Sequence, residues 1–460
     1  MALIRSLTSG TSSLKAHQQR LDVISNNIAN VNTIGYKSSR ATFAEQFNQS
    51  LSIGSSPNTI QGGGIGGIDS VQIGLGVTLG AIKVDFSQGA IQVTNRPTDL
   101  ALQGDGFFVL ERNGQQLFSR AGAFSLDRDG FLVDSATGAF VQGFNLDTDE
   151  SGLVEKDASG TNILDRSVVN LQISPTFKSA PRQTQEISLA GNINAETTTG
   201  EIINSSITIF DNQGAEHVLR MQFTKTATVN EWSLSLFIDG DDANPLAIDP
   251  TDSDGDGFDT TLGLTFNGDG TLSAPLALSM TAADLNDKLE AINGTPSTAF
   301  DEDTPKDVSL TLSEAGNLLG GLTQFAAQNT VSATGQDGYA SGELSLISVD
   351  QTGKIVGAFT NGQSELLGQV VVAKFTNPGG LSKEGGSFYS VSPNSGLPQI
   401  GTAVEIFPST SIAGKALEES NVDLTEQFTD LISTQRAFEA ASRTVTISDQ
   451  FLAEINQLKR

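Results

Sequence analysis

Apolar residues recur every seven positions at both ends of this chain. Leu7, Leu14, Leu21 and Ile28 form one seam near the N-terminus. Ile24, with Leu3 and Val31, fills a second seam, which Gly10 and His17 interrupt. Near the C-terminus Leu417, Leu424, Leu431, Phe438, Val445 and Leu452 keep the same period, Ala441 and Ile455 join them, and Phe428, Ile432 and Leu458 widen the stripe. A seven-residue repeat holds one apolar stripe on one side of a helix. It predicts a helix over about residues 3–30, roughly 40 Å long, and a second one after an N-cap at Asn421 or Asp423, with Glu426 three residues beyond Asp423. The first seam is thin and carries Ser9, Gly10, Thr11, Ser12 and Ser13. Such a helix is marginal alone, because nucleation is costly and packing supplies most helical stability in proteins. Two arrangements remain open: a helical pair packed on a globular domain, or a coiled coil formed between the termini on assembly. The terminal placement and the weak first seam favour the second.

The first helix runs into SNNIANVNTIGYK, residues 25–37. Asparagine tolerates the left-handed region and bonds nearby backbone, so it serves helix ends and turns. Asn30 and Asn32, followed by Gly35, predict the end of the helix and a fixed exit direction. Asn26 and Asn27 still lie inside the helical pattern, which points to lateral hydrogen bonds with neighbouring helices.

Between the ends the pattern is that of strands. GGGIGG (62–67) reads as a connector, and DSVQIGLGVTLGAIKVDF alternates as a strand does. DLALQGDGFFVL and FSRAGAFSLDRDGFLVD predict hairpins around Gly-Asp-Gly and Asp-Gly turns. SSITIFDNQGAEHVLRMQF and EWSLSLFIDG open a second β domain, with Asn212-Gln213-Gly214 as a turn, and TAADLNDKLEAI suits one short helix. The expected fold is mainly β with terminal α-helices: residues 1–35 with 415–460 as a helical coiled-coil domain, 36–77 with 390–414 as a connecting segment, 78–172 with 333–389 as a first β domain, and 173–332 as a second β domain inserted into it.

Charge narrows the function. The chain of 460 residues has formal charge −27, which disfavours nucleic acid and anionic membranes. Arg5, Lys15, Arg20, Lys37 and Arg40 against Asp22 and Glu45 leave residues 1–50 positive, whereas residues 411–460 are acidic, so the ends are complementary. The absence of cysteine removes disulfides and thiolate metal sites. MALIRSLTSGTSSLKAHQQ lacks a long apolar core, so no cleaved signal peptide is expected, and no run reaches the length of a membrane span.

Candidate chemistry is sparse. Asp252, Asp254, Asp256 and Gly257 in DSDGDGFD match the first half of an EF-hand loop, but Gly263 stands where a bidentate glutamate is needed, so an acidic turn is the simpler reading. GLGVTLG leads into strand rather than helix and offers no helix N-terminus to a phosphate. His17 and His217 have no Ser or Asp partner nearby in sequence. No catalytic residue, cofactor or enzyme activity is expected.

LDVISNNIANVNTIGYKSSR resembles the N-terminal signature of the bacterial flagellar rod–hook axial proteins, and ALEESNVDLTEQFTDLISTQRAFEAASRTV resembles their C-terminal one. DLALQGDGFFVL and FSRAGAFSLDRDGFLVD are similar to their shared β blocks. Within that family, ITIFDNQGAEHVLRMQF, NEWSLSLF, LTFNGDGTLS and DGYASGELSLISVDQTGKIVGAF resemble the hook members. The resemblance implies a structural subunit that self-assembles into a curved extracellular tube, a universal joint passing motor torque to the filament. It implies export through the flagellar type III apparatus and contacts with distal rod, hook-cap and hook–filament junction proteins, without nucleic acid or membrane insertion. It places Leu7, Leu14, Leu21, Ile24, Ile28, Leu424, Leu431, Phe438, Val445 and Leu452 in an inner helical wall, and Asn26, Asn27, Asn30, Asn32 and Gly35 at the helix-end turn. A distal rod protein and a secreted calcium-binding β adhesin are the alternatives. The second leaves the paired heptads unexplained.

Overall fold

Two long helices bracket the chain. A computed structural model describes residues 2–57, 66–147, 154, 156, 161–174, 176–241, 245–246, 261–293, 299–300, 307–313, 321–405 and 407–458. Helix α1 is Ala2–Ala29 and the last helix is Leu424–Leu458; nearly all the regular elements described between them are strands. The fold is mainly β with terminal helices, as the pattern of the sequence predicts. Contacts divide the chain into two compact units: residues 1–175, 347–357 and 365–460, and residues 176–346 with 358–364.

In the first unit the two terminal helices pack against each other. They run antiparallel: Ser6 meets Ser448, Arg20 meets Asp430 and Asn27 meets Gln427. A ribbon of Ser39–Glu45 with Val77–Val84 lies against α1. His17 is set edge-on to Phe43 there, with ring centroids 5.5 Å apart. Burial, with Arg20 adding to it, lowers the pKa of His17. The hairpin Asn48–Ser52 with Val71–Gly74 continues outward, and every residue of its strands is exposed.

The β core of this unit centres on Phe107–Arg112, which pairs with Gln115–Ser119 across Asn113 and Gly114, both at positive φ. The same strand pairs with Phe140–Phe144 and Val372–Lys374. Phe107, Phe118, Phe375 and Tyr389 meet edge to face beneath it, the closest centroids 4.8 Å apart, a geometry that aligns ring edges with ring faces. The hairpin expected around Gly104-Asp105-Gly106 does not form. Leu100–Gln103 pairs instead with Ser411–Gly414, more than 300 residues on. A Cβ on Gly104 would lie 2.1 Å from the Ser409 carbonyl oxygen, so this glycine admits a distant strand rather than closing a local turn. The Asp-Gly turn does close a hairpin, Phe124–Leu126 with Leu132–Asp134.

Two five-stranded sheets lie in the second unit. Ile202–Phe210, Glu216–Lys225, Glu231–Ile238, Leu262–Phe266 and Leu272–Ala274 form an antiparallel meander in that order. The Asn212–Gly214 turn is held by the Asp211 carboxylate, which accepts the Gln213 and Ala215 amides. Glu186–Asn194 is the centre of the other sheet and pairs with Val308–Thr311, Leu322–Phe325 and Ser332–Gln336. Trp232, Phe223, Met221, Leu236, Ile187 and Leu310 fill one continuous core. Glu216–Lys225 alternates strictly, with Leu219, Met221 and Phe223 turned inward, as a half-buried strand requires. The short helix over TAADLNDKLEAI is present as α2, Ala282–Asn293, capped by the Thr281 hydroxyl on the Asp284 amide. Leu285 and Leu289 seat it on the core. The last helix, Leu424–Leu458, is α3.

Candidate assembly surface

Two helices in contact normally bury their largest apolar side chains between them. Here the α3 side of the α1–α3 contact is lined by small and polar groups. On α3, Gln427, Thr434, Ala441 and Ser448 recur every seven residues on the α1 side; Thr434, Ala441 and Ser448 are buried and Gln427 is half-buried. On α1, Gly10, Ala16, Ile24 and Asn27 are buried. Gly10 does not interrupt packing as its break in the seam suggests: it marks a close approach of the two helices. A Cβ there would sit 2.7 Å from Val445 Cγ2 and 3.3 Å from Thr444 Oγ1. Gly10→Val should force the helices apart and weaken their contact by about 1–3 kcal/mol, the usual cost of overpacking. Hydrogen exchange across both helices of the monomer checks this, with faster exchange expected in both.

The regular heptad residues flank this line. Leu7, Leu14, Leu21 and Ile28 on α1, and Leu431, Val445 and Leu452 on α3, are half-buried, while Leu424 and Phe438 are exposed. The side chain of Leu3 lies outside the described residues. Seven large apolar side chains of α3 (Leu424, Phe428, Ile432, Phe438, Ile447, Phe451 and Ile455) keep 36% to 52% of their surface in solvent. Six of them fall into two ridges with helical spacing. Leu424, Phe428 and Ile432 stand at i, i+4 and i+8 in the first half of α3, and Ile447, Phe451 and Ile455 repeat that spacing in the second half. At 3.6 residues per turn the two ridges lie about 140° apart around the axis. The outer hairpin adds Phe47, Leu51 and Ile73, also exposed. Apolar surface in rows of this kind marks an interaction face, unlike scattered single residues.

The asparagine stretch closes the helical pair at one end. Asn27 is buried and fully satisfied. Its amide nitrogen donates to the Ser39 carbonyl oxygen at 2.8 Å and to Gln427 Oε1 at 3.0 Å, and its oxygen accepts the Ser39 amide and the Tyr36 hydroxyl. Asn30 donates to the carbonyl and side-chain oxygens of Asn26 and accepts the Thr33 hydroxyl, which ends the helix and turns the chain. Asn26 and Asn32 are exposed. Gly35, at φ +64°, passes so close to Ala121 that a Cβ would meet its amide nitrogen at 2.4 Å.

Sequence spacing gave no sign of the buried charges just past this turn. Lys37, Glu418 and Arg120 come from three distant segments. Lys37 Nζ donates to Glu418 Oε1 and to the Ser87 carbonyl oxygen, each at 2.6 Å, and Arg120 Nη1 stands 3.5 Å from Glu418 Oε2. Burial pushes the Lys37 amine below its ordinary value; the hydrogen bond and charge of Glu418 oppose that, and Arg120 adds to it. Burial likewise pushes the nearby Tyr389 phenol up.

Asp252, Asp254 and Asp256 lie outside the described residues. Among the described residues no group of His, Asp and Glu side chains is arranged to hold a metal ion, and no helix is long and apolar enough to cross a membrane. His217, for which the sequence offers no nearby Ser or Asp partner, is brought 2.7 Å from Asp239 and 3.6 Å from Asp211.

Comparison with known proteins bears on what such faces meet. Residues 7–37 match the family "Flagella basal body rod protein", and residues 413–458 match "Flagellar basal body rod FlgEFG protein C-terminal". Residues 101–218 match "Flagellar hook protein FlgE/F/G D1 domain", and residues 180–339 match "Flagellar basal body protein FlaE D2 domain". The chain is 35% identical to the flagellar hook protein FlgE of Treponema pallidum, over 100% of both chains. It is 33% identical to that of Borreliella burgdorferi over 99% of this chain and 100% of the other. It is 31% identical to that of Escherichia coli over 97% and 98%.

Proposed function

This chain belongs to the flagellar hook protein FlgE family, and we propose that it is a structural subunit of the flagellar hook that assembles through its paired terminal helices. One observation carries the assembly route: α3 is already paired with α1, yet it leaves two apolar ridges in water. A polar, small-residue contact within the chain and apolar ridges outside it suit a helix whose remaining partners are further copies. The ridges differ in height and direction, so they meet different neighbours. Contacts of unlike faces propagate into open helical polymers instead of closing a dimer.

The helices form the inner wall of a curved extracellular tube, and the β domains form its outer layers. The seam residues Leu7, Leu14, Leu21, Ile24, Ile28, Leu424, Leu431, Phe438, Val445 and Leu452 lie in that wall, together with the exposed ridges. The tube is a universal joint that passes motor torque from the distal rod to the filament. Hook-cap and hook–filament junction proteins are its other partners, and the flagellar type III apparatus exports the subunit. The acidic outer domains suit bending, since polar contacts between neighbours exchange at lower cost than apolar ones. Electron microscopy of the concentrated, purified subunit tests the reading: helical tubes are expected, and persistent monomers or closed dimers would contradict it.

A further inference from the structure

The junction between the helical pair and the first β domain contains a cluster of three buried charges. Lys37 and Glu418 are fully buried and Arg120 is 2% exposed. Four chain segments converge on one carboxylate. Glu418 Oε1 accepts Lys37 Nζ from the chain leaving α1 and the Gly89 amide from the link after the Ser39–Glu45 and Val77–Val84 ribbon. Oε2 faces Arg120 at the end of the Gln115–Ser119 strand. Glu418 itself sits in the strand that leads to α3 and pairs with Ile91. Its carbonyl oxygen accepts the Gly35 amide at 2.8 Å. Three residues on, Asn421 repeats the crosslink: its oxygen accepts the Ser38 amide, and its nitrogen donates to the Asp85 and Ser87 carbonyl oxygens. The fit is close, since a Cβ on Gly89 would lie 2.1 Å from the Glu419 carbonyl oxygen.

We propose that Lys37, Glu418 and Arg120 are positioning residues that fix the direction and height at which the α1–α3 pair leaves the β domain. A buried ion pair is a poor source of stability, because desolvating two charges offsets their attraction, and apolar replacements of similar size are often neutral or stabilising. Arg120 strengthens the point: its guanidinium is buried over the Phe107 ring, and its Nε finds no hydrogen-bond partner. What the arrangement supplies is uniqueness. An apolar contact tolerates sliding and rotation, whereas one carboxylate shared by two cations and an amide admits a single register. The outgoing chain at 36–38 and the incoming chain at 419–422 are thereby clamped side by side, and the helical pair departs from one fixed elbow.

The test uses the full-length monomer and does not depend on the hook reading. Lys37→Met, Arg120→Met and Glu418→Leu are combined, so no charge is left unpaired. Thermal melting of the β signal and site-resolved hydrogen exchange are measured. The expected result is an unchanged or higher melting temperature with about tenfold faster exchange confined to residues 34–38 and 416–422, the signature of local opening without global destabilisation. Glu418→Gln alone strands two buried cations and should melt below the triple variant. Unchanged exchange at both segments would overturn the assignment. So would a triple variant that melts at or below Glu418→Gln or fails to fold, because the cluster would then serve stability and not register.

Discussion

Phe428→Asp and Phe451→Asp should each yield a subunit that folds and is exported but builds no hooks, leaving cells non-motile. Each side chain is about half exposed in the single chain, so a charge there remains hydrated and the monomer melts as before. In the wall of the tube the same carboxylate would be buried without a partner, at a cost of several kcal/mol per contact. That penalty recurs in every subunit and is prohibitive for a polymer. Circular dichroism of the purified variant checks the fold, and electron microscopy of cells checks assembly. The half-buried Leu21 and Leu431 are weaker choices, because aspartate there also disturbs the α1–α3 contact. Normal hooks from both phenylalanine variants would remove the ridges from the assembly surface.

The second large effect concerns the inserted β domain, proposed from sequence at about 173–332. Arg182 and Tyr339 exchange backbone hydrogen bonds at 3.0 Å, so a chain that enters at one returns at the other. Deleting 183–338 behind a two- or three-residue glycine linker (roughly the span of one antiparallel pair) removes the continuous core around Trp232 as a whole. Export and tube formation should survive, since the first compact unit, with both terminal helices, is untouched. The shape of the tube should change, because the domain proposed for its outer layer is gone. Hooks imaged from the deletion strain should be present with altered curvature. Unaltered curvature would deny the domain a role in shape, and loss of export would place essential structure inside the deleted span.

The parts of this molecule legible in its sequence are those governed by short-range periodicity. The seven-residue repeat gave α1 and α3, and alternation gave the Glu216–Lys225 strand with its inward Leu219, Met221 and Phe223. Turn chemistry gave the Asp-Gly hairpin and the turn after Asp211. Periodicity failed where a residue answers to something distant. Gly10 breaks the seam in the sequence yet lies at a close approach of two helices, because the partner that needs its missing side chain is more than 400 residues away. Gly104 looked like a local turn for the same reason. The meeting of Lys37, Arg120 and Glu418 had no spacing to reveal it, since each lies in a different segment. The heptads located the α3 stripe but ranked its members by apolarity. Burial in the folded chain falls on Thr434, Ala441 and Ser448, and most of the large apolar residues of α3 remain exposed.

The chain contains no cysteine, so a single introduced thiol reports its own environment. The most direct test of assembly through α3 is the maleimide labelling rate of Phe451→Cys in the monomer and in purified hooks. The α3 account predicts rapid labelling in the monomer and labelling slower by about two orders of magnitude in the hook, as burial in a packed wall demands. Equal rates in the two states would mean that the ridge stays in water after assembly and that the wall is built from other surfaces.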